Sequence, residues 1–208
     1  MEGVLTVHAF GLRRLLLLVL TSFALVLGVS GQANAVSPNI VISQIYGGGG
    51  NAGATLTHDF MELANRGSEP VDVSGWSIQY ASAAGTTWQR TSLSGSIPPG
   101  GYYLVQQAAG AGGTTPLPTP DAMGTTAMSA TTGKVALVSN LVNLTGACPT
   151  AGIVDFVGYG GTANCFEGAG PTPTLSNTTA ALRNGNGFTD TDNNNADFTD
   201  GTPNPRNT

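Results

Sequence analysis

What most constrains this chain is an ordered set of strand signatures after residue 38. The set runs His58-Asp-Phe-Met-Glu-Leu-Ala-Asn65, then Val71-Asp-Val-Ser-Gly-Trp-Ser-Ile-Gln-Tyr80, then Ile97-Pro-Pro-Gly-Gly-Tyr-Tyr-Leu-Val105. In the second stretch Trp76, Ile78 and Tyr80 share one face of an extended chain, whereas Val71 and Val73 have the opposite parity. An extra residue must be absorbed at Ser74-Gly75, by a glycine bulge or a corner that carries the chain onto a different face. Pro98-Pro99-Gly100-Gly101 is a strong turn, because proline presets φ and glycine is free to take φ > 0. No stretch longer than six residues after Ala35 carries helical periodicity, and short β-rich runs recur with turn signals between them. Strands are expected near 39–46, 58–65, 70–80, 86–93, 101–107, 133–139, 152–159 and 179–183. The expected fold is an all-β sandwich.

Residues 1–35 read as an export signal rather than part of that fold. Arg13-Arg14 form a positive start, Leu15 to Val29 is an apolar run, and Ala33-Asn34-Ala35 offers the small residues of a cleavage site. The apolar run is shorter than the roughly 20 residues a spanning helix needs. Cleavage after Ala35 leaves a domain at 36–207, including a polar C-terminal tail from about 185, with no transmembrane span and a secreted location. Without the signal, five Lys and Arg face eleven Asp and Glu, a net charge near −6. Such a surface repels phosphate backbones, so strong direct nucleic-acid binding is not expected.

Both cysteines, Cys148 and Cys165, lie in the exported part, where one disulfide is the simple reading. Two free thiols or half a metal site compete with it. A single histidine follows the signal, however, so a zinc site would lack ligands. Two loops are long for a compact β domain. Gly47–Thr57 is glycine-rich, and Ala108–Thr132 is built from Gly, Thr, Pro and Ala.

Candidate sites are few. His58 and Asp59 point to opposite faces of a strand, and His58 and Glu62 lie roughly 13 Å apart along it, too far for an acid–base pair. Glu62 is therefore expected to cap or bridge a neighbouring strand or loop. No Gly-x-Ser-x-Gly elbow occurs, and the Gly47–Gly50 run lacks the Lys-Ser/Thr and helix of a phosphate cradle. Asp190, Asp192, Asn194 and Asp197 resemble the start of a calcium loop, but position six is Asn195 and position twelve is Gly201. An Asx-rich turn accounts for the run without an ion, and the calcium reading is retained as the alternative. Among the aromatics, Trp76 and one of Tyr102 and Tyr103 are expected in the core. Trp88, in the polar run Thr86-Thr-Trp-Gln-Arg-Thr91, is expected to be exposed. No catalytic residue, cofactor site or metal site is assigned; the chain is not expected to be an enzyme.

As a series, these motifs resemble the lamin tail domain, and more narrowly its bacterial secreted branch, which is often joined to extracellular nucleases and phosphatases. The resemblance rests on Val41-Ile-Ser-Gln-Ile-Tyr-Gly-Gly-Gly-Gly50, Asp59-Phe-Met-Glu-Leu-Ala-Asn65, Val73-Ser-Gly-Trp-Ser-Ile-Gln-Tyr80 and Ile97–Val105. Val154-Asp-Phe-Val-Gly-Tyr-Gly160 and Asp190-Thr-Asp-Asn-Asn-Asn-Ala-Asp-Phe198 also fit, so the likeness spans about 38 to 207. It implies an immunoglobulin-like β-sandwich acting as a non-catalytic binding or accessory module, with a protein or surface glycan as partner. The alternative is an accessory to an extracellular nuclease or phosphatase encoded in a separate chain, since the sequence given stops at Thr208.

Overall fold

The computed structural model describes residues 31–32 and 37–208. The expected export signal and its cleavage site otherwise lie outside the described residues. Ten strands build two sheets: β1 (Ile40–Tyr46), β2 (His58–Asn65), β3 (Ser77–Ala81), β4 (Gln89–Ser92), β5 (Tyr102–Ala109), β6 (Ala122–Met123), β7 (Gly133–Val138), β8 (Ile153–Tyr159), β9 (Ala180–Arg183) and β10 (Phe198–Gly201). One sheet has the order β10-β9-β1-β2-β5-β6, the other β8-β7-β3-β4. All pairings are antiparallel except β5 with β6. Small two-residue pairings join Val71–Asp72 to Ser96–Ile97 and, in parallel, Gly31–Gln32 to Cys165–Phe166.

The inner faces meet in one core. Ile40, Ile42, Met61, Leu63, Tyr103 and Val105 come from one sheet, and Ile78, Tyr80, Val135, Leu137, Val157 and Tyr159 from the other. Strict alternation along β1 would place Gln44 inside after Ile42. The register shifts between Ile42 and Gln44, and this bulge turns Ile45 inward instead. The corner expected at Ser74-Gly75 is present. Gly75 has φ +80°, Val71–Asp72 ends before it, and β3 begins after it in a different sheet.

Both outer faces are covered as well. Over the four-stranded sheet, Ala81, Trp88, Ala136, Val138, Leu144, Phe156 and Cys165 form a second cluster. That explains why residues 135–138 of β7 read as a continuous apolar run rather than an alternating one. Over the six-stranded sheet, Tyr46, Phe60, Leu104 and Ala180 are roofed by Leu56 and Leu117 from the two long loops. Those loops are stitched together, with Thr57 N–H donating to Thr115 O (3.0 Å) and Gly112 N–H to Gly50 O (2.6 Å). The polar tail folds back over the sandwich, supplies β10 as an edge strand, and continues to Thr208, whose hydroxyl donates to Asp121.

Candidate functional site

The residues suggested by the sequence do not converge. His58 is half-buried, with its Nδ1 2.9 Å from Thr57 Oγ1. Asp59 turns inward and accepts the Gly49 and Met128 N–H groups, each at 2.9 Å. Burial raises the Asp59 pKa to about 6, and those two N–H donors oppose the rise. The glycine run is thus held by a carboxylate. A Cβ on Gly49 would lie 1.9 Å from the His58 carbonyl carbon, so glycine is required there for close approach.

Glu62 bridges, as its strand position implied. Its carboxylate is fully buried and accepts from Ser43 Oγ (2.5 Å) and Gln44 Nε2 (3.0 Å) on β1, and from Arg206 N (2.7 Å) and Nη2 (2.7 Å) in the tail. Arg206 in turn lies 3.6 Å above the Tyr102 ring. Tyr103 is core, while Trp76 and Tyr102 are half-buried.

Trp88 is a correction. It is 2% exposed rather than open to solvent, stands edge-on to Phe156 with ring centroids 5.8 Å apart, and donates from Nε1 to Gly146 O at 3.0 Å. Its polar neighbours Gln89 and Arg90 are exposed. The chain around Leu144–Cys148 folds across the other face of the sheet and covers it. The Cys148–Cys165 disulfide, expected from composition, fastens that cover, with a Cα–Cα distance of 5.3 Å.

Beside it sits Lys134, a fully buried cation without a carboxylate partner among the described residues. Its Nζ donates to Ala147 O (2.7 Å), Gly85 O (2.9 Å) and Asn164 Oδ1 (2.8 Å), and lies 5.6 Å from the Trp88 ring centroid. Three ammonium protons meet three carbonyl oxygens. Burial pushes its pKa down to about 8. Ala147 and Asn164 each immediately precede a disulfide cysteine, so the bridge positions two of the three acceptors.

The largest concentration of charge was not foreseen. Arg183, at the end of β9, reaches under the sheet and donates to Ile42 O (2.7 Å), Thr189 O (3.1 Å), Asp155 Oδ2 (2.8 Å) and Asp190 Oδ1 (3.0 Å). Asp197 lies 3.7 Å from it, and Arg66 caps Asp190 from outside at 3.1 Å. Of the calcium-loop residues, Asp197 accepts from Thr191 N (2.8 Å) and Oγ1 (2.7 Å), closing a turn. Asn194 is pinned beneath β8, accepting from Gly158 N–H (2.9 Å) and Glu167 N–H (3.1 Å) and donating to Phe156 O (3.0 Å). Asp190 alone joins a different group: oxygens of Asp155, Glu167 and Asp190 all lie within 4.8 Å of one another. Burial raises the Asp155 pKa against the pull of Arg183. Burial first, then Asp155 and Asp190, push Glu167 up to about 10. A carboxylate in the apolar run Ile153–Tyr159 and an arginine closing Ala180–Arg183 were the available sequence signals, since buried charges are rarely unpaired.

With these positions established, comparison with known families decides the identity. The Lamin Tail Domain model matches residues 33–190. The chain belongs to the lamin tail domain family. The match takes in the β1–β2–β5 signatures, the Gly75 corner, Asp155, Glu167 and Arg183, and it stops at Asp190 ahead of β10. No curated protein matches the chain.

Proposed function

We propose that this lamin tail domain is an exported, non-catalytic binding or accessory module working outside the cell. One surface feature carries the reading. A cleft of about 410 Å³ is lined by Val138, Val142, Leu144, Pro149 and Gly152 among others, and opens beside a loop whose Leu141 and Val142 side chains project outward. Val142 is 70% exposed, and an apolar tip flanking a concave surface is the form a contact site takes. The same outer face is braced by the disulfide, which suits an oxidising environment. Family membership supports a module of this kind, and fold alone does not name the ligand.

The test is retention of extracellular proteins and glycans on immobilised mature protein, comparing wild type with Val142→Asp. Retention by wild type that the variant loses is expected; equal retention by both removes the cleft as the contact surface. Turnover of DNA, RNA or phosphate esters that vanishes in His58→Ala would overturn the non-catalytic reading. Mass spectrometry of protein from the culture medium should give an N-terminus at Val36, and a retained segment 1–35 would overturn export.

A further inference from the structure

The acid cluster beneath β8 and β9 holds more negative charge than its cations balance. Asp155, Glu167, Asp190 and Asp197 have side chains or whole residues no more than 3% exposed. Among the described residues, the cations opposite them are the guanidinium groups of Arg183 and Arg66, so with all four carboxylates ionised the group would carry a net charge of −2. Buried charges of one sign left unmatched are strongly disfavoured, and a bound ion is one remedy.

A second, independent observation points to an ion at this cluster. Glu167 is completely buried. Its Oε2 accepts from Asn194 Nδ2 at 3.2 Å, but its Oε1 has no hydrogen-bond partner among the described residues. Such an orphaned oxygen is costly unless something occupies the space it faces. One oxygen from each of Asp155, Glu167 and Asp190 lies within 4.8 Å of the others, and all three donors are hard carboxylates.

We propose that Asp155, Glu167 and Asp190 hold a single divalent cation, with calcium the best fit. Three hard carboxylates from separate segments suit calcium, which takes about six to eight oxygens in a flexible geometry, whereas magnesium keeps several waters and is usually held by one or two carboxylates. The ligands come from three places in the chain: β8, the segment after Cys165–Phe166, and the turn after β9. The ion therefore ties the C-terminal turn to the sandwich. With Glu167 ionised as a ligand, the ion neutralises the −2 that the two arginines would leave. This site differs from the loop pattern in the sequence, because Asp192, Asn194 and Asp197 are not among its ligands. It also stands apart from the proposed contact cleft.

The experiment is calcium titration of chelator-stripped mature protein by calorimetry, with thermal melts in calcium, magnesium or sodium. One ion per chain is expected, with the midpoint rising by roughly 5–10 °C at a hundredfold excess over Kd. Glu167→Gln keeps the shape of the site and lowers its negative charge. It should fold, melt at or above the stripped wild type, and lose the calcium response. Asp192→Asn should keep that response. Absence of binding to the wild type, an undiminished response in Glu167→Gln, or a response that follows Asp192 instead would each overturn the assignment.

Discussion

Lys134 and Arg183 are both buried cations, one in each sheet, and they are satisfied in opposite ways. Lys134 faces three neutral carbonyl oxygens and no carboxylate, so donors and acceptors match in number. Arg183 faces three carboxylates and two backbone carbonyls, and a fourth carboxylate, Glu167, stands behind them. The first arrangement is closed by the protein alone and depends on a disulfide to hold its acceptors. The second is open, and its stability depends on what neutralises the surplus.

The largest effect should come from breaking the second site. Arg183→Met strands Asp155 and Asp190 in the interior and should cost about 3–5 kcal/mol, read as a lower urea midpoint. If the loss is under about 1 kcal/mol, the arginine is not what makes this cluster tolerable. Next, replacing Cys148 and Cys165 together with serine should cost ~3 kcal/mol for the 17-residue separation. Lys134→Met leaves three carbonyls without a donor and should cost about 2 kcal/mol. Combining it with the cysteine change sharpens the comparison. The double-mutant cycle should be less than additive, since the bridge and the lysine share Ala147 and Asn164; strict additivity would show that the bridge does not position them.

A smaller effect is the pH dependence of the lysine site. The Lys134 pKa falls from 10.5 to about 8 on folding, so between those values the unfolded state binds more protons. Stability contributed at this position therefore rises with pH from about 8 towards 10.5. Urea midpoints measured at pH 8 and pH 10 should move upward in wild type relative to Lys134→Met. A relative movement downward would mean that the three carbonyls hold the ammonium form more strongly than burial opposes it.

Much of the frame was legible because side-chain alternation and turn chemistry are local. The parity change across Ser74-Gly75 located a corner between sheets, and the cysteine pair located its bridge. Trp88 differs from its expected exposure, which rested on the polar residues on either side of it; what covers its ring arrives from Leu144 to Cys148, more than fifty residues later. β10 escaped notice because Phe198-Thr-Asp-Gly201 has one apolar residue, and its place is set by pairing with β9. The acid cluster was hidden for a similar reason. Asp155 in an apolar run, Arg183 at a strand end and Asp190 in an Asx-rich turn are each noticeable singly, but only the topology makes them neighbours of one another and of Glu167.

Lys134 is also the sole lysine in the entire sequence. On the proposed export reading, cleavage after Ala35 would leave one primary amine besides Lys134, the new α-amino group. Reagents that acylate amines should therefore tag that end alone, giving uniformly oriented molecules on a sensor surface. A second tag, on Lys134, would report that the cover over the outer face had opened.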